Sequence, residues 1–123
     1  MRILVVDDEP DVRDVIRRLL LPHAERIDVA DSAEAAGALT LQDYDVMLVD
    51  IILPGLDGAT FIRRLGERGV RARIVAMSGG GPGCSGLQAL ASAEALGADA
   101  ILFKPFGVER LLDAVLEGTP TAV

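Results

Sequence analysis

Five short apolar runs recur along the chain at near-regular intervals: ILVV at 3–6, RIDVA at 26–30, DVMLV at 45–49, RIVAM at 73–77 and AILF at 100–103. They are rich in Val and Ile and alternate only weakly between apolar and polar positions. That pattern predicts strands buried on both faces, as in a parallel sheet covered by helices. Between the runs the apolar positions change to helical spacing. Val12, Val15, Ile16, Leu19 and Leu20 mark a helix over about 10–21, with Pro10 in its first turn and Pro22 at its end. A second, over about 32–42, opens with Asp31 and Glu34 at capping-box distance. Phe61, Ile62 and Leu65 mark a third over about 57–68, ended by Gly69. Leu87, Leu90, Ala91 and Leu96 mark a fourth over about 86–96, ended by Gly97, and Val108, Leu111, Leu112 and Val115 a fifth over about 106–117. Strict alternation of strand and helix predicts an α/β fold with one parallel sheet and right-handed crossovers.

The length of 123 residues suits one domain, and half of them are hydrophobic, which excludes a disordered chain. No linker, repeat or low-complexity stretch interrupts the pattern; a domain over 1–118 and a short tail over 119–123 are expected. The net charge is −7, and no basic cluster exceeds Arg17-Arg18 or Arg63-Arg64, which argues against direct contact with nucleic acid. The one cysteine, Cys84, rules out an intrachain disulfide and fits a reducing cytoplasm. No apolar run approaches a membrane span, and MRILVVDDEP gains acids by residue 7, unlike a signal peptide. A cytoplasmic protein is expected.

Ligands of open parallel sheets bind at the carboxyl ends of the strands. Asp7, Asp8 and Glu9 follow the first predicted strand, Asp31 the second, Asp50 the third, Ser78 the fourth and Lys104 the fifth. A single Asp after a strand is usually a turn former or helix cap, and Asp31 keeps that reading. Asp50 does not, because Ile51, Ile52 and Leu53 separate it from Pro54-Gly55. Lys104 is the only lysine, beside eleven arginines. A compact ammonium on a flexible stem binds a phosphate oxygen as a point charge. Pro105 after it suits a cis peptide bond that fixes how the amine is presented.

Two carboxylates about 5 Å apart repel by about 3 kcal/mol at an effective dielectric near 20, so three together need a cation. Hard oxygen ligands suit Mg²⁺, completed by water and a phosphate oxygen. Such a set makes sense as a place where Asp50 accepts a phosphoryl group, with metal, Lys104 and the Ser78 hydroxyl on the transferring oxygens.

These residues resemble the receiver domain of two-component response regulators. The resemblance runs through VVDDEP, LVDIILPGLDG, MSG and GADAILFKPF and covers essentially the whole chain. It implies a flavodoxin-like fold, a five-stranded parallel sheet of order 2-1-3-4-5 flanked by five helices. It implies that Asp50 takes a phosphoryl group from a histidine kinase or histidine phosphotransfer protein. Asp8, Asp50 and the backbone carbonyl of Ile52 would hold Mg²⁺, with Asp7 assisting partly through water. Ser78 would be the switching hydroxyl and Lys104 the phosphate contact. A downstream protein would read the fourth helix, fifth strand and fifth helix, a face through which homodimers also form. Three features depart from the family pattern. Ile101 stands where a switch aromatic is usual, with Phe103 on the same side of the strand; the loop after Ser78 is long; and no output domain follows, which suggests a single-domain regulator or phosphorelay shuttle. His23, the only histidine, reads as a surface residue, so the phosphoryl group comes from outside.

The segment MSGGGPGCSG contains G-x-G-x-x-G at Gly81, Gly83 and Gly86, between strand-like and helix-like runs. A dinucleotide fold puts that fingerprint after its first strand, with an acid closing the next; here the next closes on Lys104. A cover that tightens over the site when Ser78 is engaged fits better. Two rival functions are a metal-dependent phosphatase or phosphotransferase with an Asp nucleophile, which would want an acid where Ile52 stands, and a receiver-like module that binds partners without phosphorylation, which would not need the complete set of site residues.

Overall fold

The Val- and Ile-rich runs form five strands, β1 (Arg2–Val6), β2 (Arg26–Ala30), β3 (Val46–Asp50), β4 (Arg73–Gly79) and β5 (Ala100–Lys104). The computed structural model describes residues 1–53, 55–79, 95 and 97–116. All neighbouring strands pair in parallel, in the order β2-β1-β3-β4-β5. Four α-helices are present among the described residues: α1 (Pro10–Leu20), α2 (Ala33–Gly37), α3 (Gly58–Glu67) and α4 (Val108–Leu116). The helix expected over about 86–96, the glycine loop with Gly81, Gly83 and Gly86, Cys84 and the tail over 119–123 lie outside them.

Successive residues of each strand point to opposite faces, so each strand feeds two cores. Ile3, Val5, Leu48 and Val75 join Ile16 and Leu20 of α1 and Leu111 and Val115 of α4 on one face. Leu4, Val6, Met47 and Val49 join Ala33 and Ala36 of α2 and Phe61 and Leu65 of α3 on the other. Burial on both sides of β1, β3 and β4 explains why their runs alternate so little, whereas the edge strands β2 and β5 are part-exposed, with Val29 at 41% and Phe103 at 43%. Val15 and Val108, expected on apolar helix faces, are instead 48% and 44% exposed.

The second helix departs from expectation. It stops at Gly37, and a 3₁₀ turn over Leu41–Asp43 takes its place before β3. Gly37 and Thr40 both disfavour continuation of a helix. Its cap is Ser32, whose hydroxyl accepts the Ala35 N–H at 3.0 Å, rather than Asp31. α1 likewise gives way at Leu21 to a 3₁₀ turn holding Pro22 and the exposed His23. Gly69, with φ of 71°, follows α3 as expected of a helix stop. No helix among the described residues is long and apolar enough to cross a membrane.

Candidate functional site

The strands run further toward the site than their apolar residues indicate. Asp50, Ser78 and Lys104 are members of β3, β4 and β5, not residues beyond them. Parallel pairing uses backbone groups and continues past the last apolar side chain. Asp50 pairs with Met77, Ser78 with Phe103 and Gly79 with Lys104, so the polar residues reach one rim.

Asp7 leaves the end of β1 fully buried. Its Oδ1 accepts the Glu9 N–H at 2.8 Å, which shapes the turn into α1. Its backbone carbonyl accepts from Arg13 Nη1 at 2.7 Å. Asp50 is 5% exposed, and its Oδ1 accepts the Ile52 N–H at 2.9 Å. Lys104 fills the space between these acids: its Nζ donates to Asp7 Oδ2 at 2.6 Å and to Asp50 Oδ2 at 2.8 Å. Glu9 Oε1 lies 3.7 Å from the same nitrogen. The peptide bond from Lys104 to Pro105 is cis.

One carboxylate oxygen from each of Asp7, Asp8, Glu9 and Asp50 can be chosen so that all four lie within 4.8 Å of one another. Two of these groups are buried and two exposed, and oxygen donors of this kind could hold a divalent cation such as Mg²⁺. Burial pushes the Asp50 carboxyl above the usual carboxylate range, against the Lys104 and Ile52 hydrogen bonds that pull it down. Burial also pulls Lys104 down, but its hydrogen bonds to Asp50 and Asp7 outweigh that and raise it. The two directions disagree: the first favours a neutral acid, the second a charged pair. Two charge-assisted contacts under 3 Å decide for the charged pair.

The expected set therefore meets in part by direct contact. Asp7, Asp8, Asp50 and Lys104 converge; Ser78, buried, lies one position past the partner of Asp50 on β4. Ile52 contributes its backbone N–H, while its side chain is 58% exposed. Asp31, exposed after β2, is not among the converging acids. Ile101, where the family has its switch aromatic, packs against the core that holds α2 and α3, and Phe103 is 43% exposed. A groove of about 440 Å³ opens beside Lys104, lined on its apolar side by Val12, Val15, Pro105 and Phe106.

Three contributors had no role assigned from sequence. Arg13 reaches the Asp7 carbonyl from a helix whose spacing showed only its apolar face. Glu9 joins the acid cluster, and only its place in the run DDE signalled it. Gly58, at the start of α3, lies against the backbone of Asp50: a β-carbon there would be 1.8 Å from the Asp50 carbonyl oxygen. Its signal was a glycine directly after a residue, Asp57, that already caps the helix by accepting the Thr60 N–H at 2.8 Å.

Known proteins resemble this chain in sequence and in fold. The response regulator receiver domain family matches residues 3–116. The transcriptional regulatory protein TcrA of Mycobacterium tuberculosis is 34% identical over 112 residues, covering 90% of this chain and 43% of TcrA. CutR of Streptomyces coelicolor is 33% identical over 116 residues, covering 94% of this chain and 52% of CutR. The chain thus spans about half the length of the curated relatives it matches. Among solved structures, the receiver domain of NtrX from Brucella abortus superposes with a TM-score of 0.83 at 29% identity, covering 98% of this chain and 99% of that one. With the sheet order, the acid rim and the family match over nearly its whole length, the chain belongs to the response regulator receiver domains of two-component systems.

Proposed function

We propose that Asp50 is the phosphoacceptor of a signalling switch. The observation that carries this is the treatment of its carboxylate: nearly buried, one oxygen fixed by the Ile52 N–H and the other held by Lys104 beside further acids. A carboxylate oxygen of Asp50 attacks the phosphorus of a phosphohistidine donor; the P–N bond breaks and the imidazole leaves with a proton. Asp8, Asp50 and the Ile52 carbonyl would hold Mg²⁺, with Asp7 assisting partly through water. The metal supplies positive charge for the transferring oxygens. Lys104 exchanges the Asp50 oxygen for a phosphoryl oxygen, and the Ser78 hydroxyl donates to another. The added charge then biases a two-state surface.

The donor is a histidine kinase or histidine phosphotransfer protein. The output runs through contacts of the segment over about 86–96, β5 and α4 with a downstream protein or a second copy, without direct nucleic-acid or membrane contact, in the cytoplasm. The domain over 1–118 carries this chemistry with five helices about the sheet; a single-domain regulator or phosphorelay shuttle is one form in which it acts. The chain assists its own phosphorylation and dephosphorylation rather than turning over a substrate. An Asp-nucleophile phosphatase would want an acid where the exposed, apolar Ile52 stands. Incubation with phosphoramidate and Mg²⁺ tests the reading. About one equivalent of hydroxylamine-labile phosphate per chain is expected, with none on D50N; labelling of that variant, or sustained turnover of a phosphate ester, overturns it.

A further inference from the structure

The loop between β3 and α3 carries Ile52, and its two ends are fixed locally. The Ile52 N–H is held by Asp50 Oδ1, and the Gly58 N–H by the Ile51 carbonyl at 2.9 Å. Between these anchors the loop is held from another element. Glu34, in the first turn of α2, reaches across so that its Oε1 accepts the Leu56 N–H at 3.2 Å. Its other oxygen would lie 2.8 Å from a β-carbon at Gly55, which has φ of 73°. The left-handed backbone favours glycine there, and the absence of a β-carbon lets the carboxylate approach closely. Leu56 itself packs against the core shared by α2 and α3.

We propose that Glu34 is a positioning residue for the metal site: it tethers the loop at Leu56 and so sets where Ile52 presents its backbone. This rests on the reading of the acid rim as a Mg²⁺ site. Glu34 touches neither the metal nor the phosphoryl group. A group that only orients a ligand-bearing segment still changes metal affinity, because an untethered loop must be ordered when the metal binds.

The test uses E34A and E34Q in the full chain, with two readouts. The first is amide exchange at Leu56 without metal; the second is Mg²⁺ affinity by titration of backbone amide signals. E34A is expected to speed Leu56 exchange about tenfold and to weaken Mg²⁺ binding by about threefold to tenfold. E34Q, which keeps an acceptor oxygen, is expected to stay within about twofold of the parent in both. Leu56 exchange or Mg²⁺ affinity in E34A equal to the parent overturns the proposal, as does an E34Q no better than E34A. If the parent chain binds no Mg²⁺, the metal-site reading fails and the positioning role fails with it, while Leu56 exchange still reports whether the tether exists.

Discussion

Gly58 and Asp50 touch backbone to backbone: the first residue of α3 leaves no room for a β-carbon beside the Asp50 carbonyl, with 1.8 Å to the oxygen and 2.7 Å to its carbon. Neither neighbour is a side chain that can swing away. G58A must therefore move the helix start or the strand end. The expected cost is about 1–3 kcal/mol in urea unfolding, together with slower phosphorylation of Asp50. A variant with parental stability and phosphorylation rate would show that the contact constrains nothing.

Lys104 neutralises two buried carboxylates, and its removal leaves them facing each other. K104A is expected to lose on the order of 3 kcal/mol of stability in EDTA and to recover much of it in Mg²⁺, since a ligand at about 100 times its Kd contributes about 2.7 kcal/mol. Phosphorylation of Asp50 should slow at least about tenfold even with metal bound. Equal unfolding midpoints for parent and variant in EDTA would remove the ion pair from the account.

Tyr44 gives the chain an alkaline limit of its own. Its phenol is pushed from an ordinary value of 10.0 up to about 12, by burial first and then by the hydrogen bond to Asp28 and that carboxylate's charge. The folded chain holds this proton more tightly than the unfolded one. The resulting stabilisation is complete below pH 10 and is lost as pH rises toward 12. Y44F should flatten that part of the stability profile; an unchanged slope between parent and variant would assign it to other groups.

The caps of α2 offer a simple comparison. S32A removes the acceptor for the Ala35 N–H and should cost about 1 kcal/mol. D31A, one residue earlier and exposed, should cost little. Equal thermal shifts for the two would return the cap to shared duty.

The sheet order and the acids of its rim were legible in the sequence for one reason: a strand buried on both sides is a run of Val and Ile, and a polar residue at its end has few uses there. The strands themselves run one or two residues past their apolar runs, to Asp50, Gly79 and Lys104, because backbone pairing continues after apolar character stops. α2 is shorter than its Ala-rich spacing indicates, because beyond Gly37 tertiary packing favours a 3₁₀ turn that buries Leu41. Contacts between elements left no periodic trace. Arg13 on the Asp7 carbonyl, Gly58 against Asp50 and Glu34 on Leu56 each join segments that only the fold brings together.

The single lysine of the chain sits 13% exposed with its nitrogen between two carboxylates. An amine-reactive reagent therefore has one side chain to find, apart from the N-terminus, and that side chain is guarded by the acids it serves. Its rate of acylation is a chemical clock for how often those acids let go.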